Sequence, residues 1–322
     1  MLNRQIVGGT DHELAQMRRL NKVLARLPRF RIPHKLVLRS IQGLLKLSQL
    51  RNSKLVRHGV RAERKIVGAE DAKASVRILY PKRVPKVVVL DIHGGGWVIG
   101  NPSMNDALNL GLITACEAAV VSIDYRLAPG ASLEEQIQDC LIAARWLLDP
   151  CNPTFRGLPV IVVGESAGAH LCAACLLGLK AWPELLRRIQ GAVLYYGVYD
   201  LTGTPSVHAA GPDTLVLDGP GMVNALRRLT PGLSDEQRRT PPLSPLYADL
   251  NGLPPALLIV GERDPLRDDT LQMATRWGEV AAVDLWVVRE APHGFVHFGV
   301  GQTVIEGVWR WVLSRQKNCR NE

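Results

Sequence analysis

The chain has 322 residues, 47% of them hydrophobic and 21% charged, which is enough for one large α/β domain with a cap and too apolar for a disordered polypeptide. No apolar run reaches the roughly 18 residues that a membrane-spanning helix needs, and Met1 to Thr10 carry neither the charged start nor the apolar core of a secretory signal. The net charge of +9 is unevenly placed: residues 1–70 hold 16 Lys and Arg against 4 Asp and Glu, and the rest holds 23 against 26.

This basic arm has no nucleic-acid-binding motif and no interleaved aromatic residues, so nucleic acid is not the expected partner. A solvated face on a cap helix accounts for the charge. Docking of a basic amphipathic helix on an acidic membrane surface is the alternative. The six cysteines (116, 140, 151, 172, 175 and 319) are scattered, four of them in apolar or helical surroundings. They read as reduced core thiols of a cytoplasmic protein. Cys172 and Cys175 have metal-like spacing, but no second pair or His set completes a site, so no metal is expected.

Residues 11–27 and 34–50 show helical periodicity, separated by Pro28 and Pro33. In the second, Val37, Leu38, Ile41, Leu44 and Leu45 share one face. Both precede any strand, so residues 1–55 are expected to form the N-terminal part of a cap over a catalytic domain at 56–322. Strands are expected at 56–67 and 74–80, with Asp71-Ala72-Lys73 as the turn. Val87 to Ile92 is wholly apolar except for Asp91 and reads as a strand buried on both faces. Helices at 103–117 and 132–148 then alternate with strands at 119–123 and 160–163. After a helix over 169–179, further strands fall at 191–196, 256–260 and 283–288. This alternation means a mostly parallel sheet with helices on both sides. Residues 201–245, rich in Pro and Gly with a short helix near 221–229 or 234–239, interrupt it and form the natural second part of the cap.

Two stretches carry chemistry. In Val160-Ile161-Val162-Val163-Gly164-Glu165-Ser166-Ala167-Gly168 a strand runs straight into a helix. The corner residue must adopt a strained conformation, and its neighbours two before and two after must be tiny. Ser166 is left exposed at the tip, as in a nucleophile elbow. In His93-Gly94-Gly95-Gly96-Trp97 the glycines let backbone N–H groups face a cavity. Gly94 and Gly95, with Ala167, are the expected donors to an oxyanion. A phosphate-binding loop is excluded by the lack of Gly-Lys-Ser/Thr or Gly-x-Gly-x-x-Gly.

A serine hydroxyl needs a base. Of eight histidines, His293 lies on a loop just past a strand. His297 falls in the next element and is expected to pack there, His93 to hold the glycine loop, and His170 to sit on the elbow helix. His12, His34, His58 and His208 have no motif. The orienting acid is Asp264, at a strand end in the order Ser, Asp, His. Glu262, Asp268 and Asp269 remain alternatives.

These motifs, with Asp124-Tyr125-Arg126-Leu127-Ala128-Pro129 and Asp264-Pro265-Leu266-Arg267-Asp268, make residues 58–312 resemble the hormone-sensitive-lipase-like esterases. The resemblance implies an α/β-hydrolase fold with an eight-stranded sheet and a helical cap. It implies a triad of Ser166, Asp264 and His293, and an oxyanion hole from Gly94, Gly95 and Ala167. It also implies hydrolysis of short- to medium-chain carboxylic esters as small-molecule substrates without a cofactor, and related enzymes often dimerise through the last strand. The chain departs from the family pattern in having Glu165 where Asp is common, and Gly130 where Glu follows the Ala-Pro pair. An amidase or arylformamidase on the same triad is the alternative activity, and a non-catalytic binding protein on a hydrolase body the alternative class. Trp97, Tyr195 and Tyr199 are candidates for the substrate pocket, with ordinary core roles the alternative.

Overall fold

The computed structural model describes residues 1–8, 10–31, 35–48 and 53–318. In chain order the elements begin with strand β1 (Leu2–Val7) and helices α1 (Asp11–Leu24), α2 (Lys35–Ser48) and α3 (Ser53–Arg57). The hairpin β2 (Arg61–Ala69) and β3 (Ala72–Tyr80) follows. Next come β4 (Val87–Ile92), α4 (Asp106–Cys116), β5 (Ala118–Asp124), α5 (Leu133–Leu148), β6 (Val160–Glu165) and α6 (Ala167–Leu179). After α7 (Pro183–Leu186) and β7 (Ile189–Tyr195), the insertion holds α8 (Pro205–His208), α9 (Met222–Leu229) and α10 (Asp235–Arg239). The chain closes with β8 (Ala256–Gly261), α11 (Arg267–Val280), β9 (Val283–Val288) and α12 (Gln302–Asn318).

The nine strands found among the described residues form one sheet in the order β1-β9-β8-β7-β6-β4-β5-β3-β2. Only β3 runs against the other strands, pairing antiparallel with β2 and with β5. Strands β4, β6 and β8 are buried at every residue, because helices cover both faces. β2, at the antiparallel edge, is mostly exposed. Chain order reverses beside β4: β5 lies on one side of it and β6 on the other. At such a switch point the loops leaving the two central strands diverge and open a crevice. The loops after β4 and β6 are those that carry the glycine run and Ser166.

The sheet has nine strands, not the expected eight. The extra one, β1, pairs in parallel with β9 from Leu2↔Val283 to Val7↔Val288. Its interior residues Asn3, Arg4, Gln5 and Ile6 are all exposed, so it lacks the apolar alternation that marks a strand in sequence. It is held by its ladder and by Leu2, which lies where Gly278 of α11 has no side chain: a Cβ there would come within 2.8 Å of the Leu2 Cβ. The first residues of the 1–55 segment are therefore sheet, not cap. β9 is also not an edge, so a dimer through the last strand would have to form through β1. The hairpin turn is Glu70-Asp71, one residue earlier than the spacing suggested, and residues 53–57 are helical with the strand starting at Arg61.

The rest of the N-terminal segment meets the 201–245 insertion. Phe30 N–H donates to Val216 O (2.6 Å) and Asp218 N–H to Phe30 O (3.1 Å), a single parallel bridge around Leu217. Arg31 pairs with Asp218 at 2.9 Å. On α2, Leu38 is buried and Gln42 donates to Val98 O at 2.6 Å, but Leu44 is exposed, so the apolar face read from sequence is only partly used. Val37, Leu45 and His34 lie outside the described side chains, as does Cys319. Cys116, Cys140, Cys172 and Cys175 are buried and free, and Cys151 is exposed and free. No helix among the described residues is long and apolar enough to cross a membrane.

Candidate active site

Ser166 is the single residue between β6 and α6, at φ 53° and ψ −121°, a region that side chains avoid without support. The support is steric and hydrogen-bonded. A Cβ on Gly164 would lie 2.6 Å from Gly168 O, and one on Gly168 2.0 Å from Ile92 O. Both glycines are thus obligatory for the corner. Ser166 N–H donates to Tyr195 O at 2.9 Å, which fixes the turn against β7. Helix α6 behind it is almost wholly buried, so the corner rests on rigid core.

His293 arrives on the loop after β9 and Asp264 on the loop after β8. Ser166 Oγ donates to His293 Nε2 at 3.0 Å, and His293 Nδ1 donates to Asp264 Oδ2 at 2.9 Å. The other Asp264 oxygen accepts the Leu266 N–H at 2.8 Å. An acceptor carboxylate at Nδ1 leaves Nε2 unprotonated and facing the hydroxyl. The His293 and Asp264 side chains are 6% and 0% exposed. The three alternative acids are engaged elsewhere. Glu262 accepts the Glu290 N–H, Asp268 the Ser206 N–H, and buried Asp269 the N–H groups of Tyr199 and Asp200 with the Thr204 hydroxyl. Burial raises the Asp269 carboxyl to about 7 against these bonds.

The glycine loop departs from expectation by one residue. Gly94 N–H donates to Glu165 Oε1 at 3.1 Å, so it is taken up behind the elbow. The Gly95 and Gly96 N–H groups have no partner among the described residues. Gly95 sits at φ 106°, Gly96 at φ 60° and Trp97 at φ 62°, and Gly95 O accepts from Val98 and Ile99 in a tight turn. The N–H groups left without a partner on this loop are thus those of Gly95 and Gly96, and Gly96 shares a cavity wall with Ser166. Sequence spacing could not reveal this, since it depends on where Glu165, 71 positions away, points.

Neighbouring polar groups hold this loop. The His93 ring stacks on Tyr125 (4.3 Å), its Nδ1 lies 2.8 Å from Gly94 O, and the Tyr125 hydroxyl donates to His93 O at 2.9 Å. Burial pushes His93 down to about 4, so it is neutral and donates. Trp97 Nε1 donates to His170 Nδ1 (3.3 Å), and His170 Nε2 donates to Leu243 O (2.8 Å), joining loop, elbow helix and insertion. Burial holds His170 near 4 as well. Arg126 grips Asp139 with two nitrogens and Glu135 with a third, a structural role for the Asp-Tyr-Arg motif.

Ser166 opens into a cavity of about 290 Å³. Its wall is largely apolar: Phe30, Trp97, Leu217, Met222, Leu226 and Leu266 contribute. Trp97 is where the sequence placed it. Tyr195 and Tyr199 are not in this wall; both are buried beneath it in the core, Tyr199 giving its N–H to Asp269. The walls supplied by Phe30 and the insertion carry no motif, so nothing in the sequence marked them. Glu165, which the sequence marked as a departure from the family pattern, has partners that the sequence did not reveal: its Oε2 lies 2.8 Å from His297 Nε2 and accepts the Tyr196 hydroxyl at 3.1 Å. Burial acts to raise this carboxyl, but the His297 bond and charge and the Gly94 N–H outweigh it and hold it at about 2.

Comparison with known proteins gives a consistent picture. Residues 89–297 match a family described as alpha/beta hydrolase fold. The chain is 31% identical over 273 residues to carboxylesterase NlhH of Mycobacterium tuberculosis, covering 79% of this chain and 82% of that one. It is 32% identical over 207 residues to an arylesterase of Saccharolobus solfataricus, covering 62% and 65%. Among solved structures, a hyperthermophilic esterase from the archaeon Pyrobaculum calidifontis superposes with a TM-score of 0.78 at 28% identity, covering 93% of this chain and 97% of that one. A hormone-sensitive lipase from a metagenome library gives 0.76 at 26%, covering 94% and 98%.

Proposed function

This chain belongs to the α/β-hydrolase family, as a carboxylic ester hydrolase of the hormone-sensitive-lipase-like branch, and on that premise we propose that Ser166, His293 and Asp264 are its catalytic triad, acting on short- to medium-chain esters. The carrying observation is the unbroken relay Ser166 Oγ–His293 Nε2–Asp264 at 3.0 and 2.9 Å, opening on an apolar cavity. His293 takes the hydroxyl proton as Ser166 attacks the ester carbonyl. The developing oxyanion rests on the N–H groups of Gly95, Gly96 and Ala167. Asp264 holds the ring's orientation and stabilises the imidazolium. His293 then protonates the leaving alcohol, and water repeats the sequence on the acyl-enzyme.

A cavity of about 290 Å³ is at the small end of the range for ligand sites, roughly 300–1,000 Å³. That size favours acetyl to mid-length acyl groups over long fatty chains. The N-terminal segment after β1 and the 201–245 insertion act as the cap that closes this cavity. The test is hydrolysis of p-nitrophenyl acetate, butyrate and laurate by the wild type and Ser166→Ala, with a matched amide. Butyrate should exceed laurate, the amide should be slow, and the alanine variant should be inactive. Laurate preference refutes the size argument, and an active alanine variant refutes the triad.

A further inference from the structure

Glu165 is a buried carboxylate next to the nucleophile, and it has three partners from three parts of the chain. Its Oε1 accepts the Gly94 N–H, its Oε2 accepts the Tyr196 hydroxyl at 3.1 Å, and Oε2 lies 2.8 Å from His297 Nε2. The first partner is the residue before the two free oxyanion donors. The second, Tyr196, lays its ring edge-on against His293 at 4.7 Å between centroids. The third is the only ionisable cationic group in contact with it among the described residues. A buried carboxylate without a countercharge is costly, and here it would sit beside the place where a second negative charge develops.

We propose that His297 is a positioning residue for the ester hydrolysis: as a cation paired with Glu165 it anchors Gly94, so that Gly95 and Gly96 face Ser166, and it neutralises the carboxylate beside the oxyanion. This rests on the triad reading above. The mechanism of its action is electrostatic and local. Without the charge on His297, the Glu165 carboxylate opposes the oxyanion through a poorly screened interior. It also loses the group that keeps its Oε1 turned to Gly94. His297 sits on a short 3-10 turn at Phe295–Phe298, two residues past Phe295, and 29% of its side chain is exposed, so its proton exchanges with solvent.

The groups facing His297 set the pH at which this fails. Glu165 from β6 and Asp91 from β4 are the carboxylates that act on it, and Tyr196, just past β7, shares the Glu165 carboxylate. The Arg77–Asp106 ion pair lies at the start of α4, which packs on the same turn. Burial works to lower His297, but the hydrogen bond and charge of Glu165, with Asp91 behind, raise it above its usual 6.5. His297 therefore keeps its proton to a higher pH than an ordinary imidazole and loses it on the alkaline side of that range. Tyr196 stays neutral throughout, since burial and Glu165 push it well above 10.

The experiment is the pH dependence of kcat and KM for p-nitrophenyl butyrate, between pH 5.5 and 9.5, on the full-length enzyme and the variants His297→Gln, His297→Ala and Ser166→Ala. Rates of the wild type and the two His297 variants are expressed per site labelled by a fluorophosphonate, so unfolded protein does not count; Ser166→Ala, which has no serine to label, is expressed per chain folded by circular dichroism. The wild type should show a several-fold fall in kcat on the alkaline side as His297 loses its proton. Glutamine keeps the N–H to Glu165 but not the charge. His297→Gln should lack the alkaline fall and run throughout at the wild type's high-pH level. His297→Ala should lose about tenfold or more in kcat, short of the loss of a whole donor, with KM within twofold. A His297→Gln enzyme that keeps the alkaline fall, or a His297→Ala enzyme with wild-type kcat per labelled site, overturns the proposal while an inactive Ser166→Ala leaves the triad standing. An active Ser166→Ala overturns the triad itself.

Discussion

Replacing Gly95 by alanine isolates the oxyanion loop from the rest of the site. Gly95 has φ 106°, outside the region an L-residue reaches without strain, and its added Cβ would lie 2.0 Å from Ile99 O and 2.8 Å from the Ile99 carbonyl carbon. Neither atom is the end of a flexible side chain. The turn that Gly95 O closes with Val98 and Ile99 must therefore open. Backbone strain alone costs about 1–3 kcal/mol, which is tolerable for a domain of this size. The catalytic cost is larger, because opening the turn withdraws the Gly95 N–H and tilts that of Gly96. Loss of one such donor lowers kcat by about 10²–10³, or about 2.7–4 kcal/mol of transition-state stabilisation. The loss should fall on kcat, with KM changed little, since the ground-state ester makes no full bond to these donors. Gly96→Ala is the internal comparison. Its φ of 60° is accessible to alanine at modest cost, and its Cβ would meet only the Phe30 ring edge at 3.2 Å. It should lose about tenfold, within the range for a modest displacement of one donor. Steady-state kinetics on p-nitrophenyl butyrate with parallel thermal melts measure both. A folded Gly95→Ala enzyme with kcat within threefold of wild type refutes the assignment of this loop.

Asp264→Asn leaves the shape of the relay but removes the acceptor that fixes the His293 tautomer, so kcat should fall by about 10³–10⁴; a loss under tenfold points to another orienting acid. Phe30→Ala removes a ring from the wall between Gly96 and Leu217 and should shift the acyl-length optimum upward, read as the laurate-to-butyrate ratio of kcat/KM; an unchanged ratio means that Phe30 does not bound the acyl chain. Glu165, held at about 2 when folded and near 4.3 when unfolded, contributes stability that is complete above pH 4.5 and lost as pH falls toward 2, on the order of 3 kcal/mol. Urea unfolding at pH 7 and pH 3.5 should show this slope in the wild type and a flatter one in Glu165→Gln; equal slopes contradict it.

How much of this was legible before the structure depends on how locally each feature is written. The corner at Ser166 forces tiny residues two places before and after it, so Gly164 and Gly168 announce it within nine residues. Likewise, Asp264 and His293 each follow a buried apolar strand, and parallel topology brings all such strand ends to one edge. Other features are written in contacts rather than in neighbours. β1 is polar and exposed along its interior, so only its ladder to β9 identifies it. That Gly94 rather than Gly96 has its N–H taken up is decided by the Glu165 carboxylate. His297 reads as a packing residue until Glu165, 132 positions earlier, is seen at 2.8 Å. Tyr195 and Tyr199 stand near a strand end in sequence, but the sheet turns them into the core, and the cavity wall comes instead from Phe30 and α9.

The most direct measurement of the central claim is covalent labelling of the wild-type protein by a fluorophosphonate, followed by peptide mass spectrometry and residual esterase activity on the same sample. The account predicts one phosphonyl group per chain, on Ser166, with activity lost in proportion to labelling, and no label on the Ser166→Ala protein. Loss of activity with Ser166 unmodified, or full labelling of Ser166 with activity retained, contradicts it.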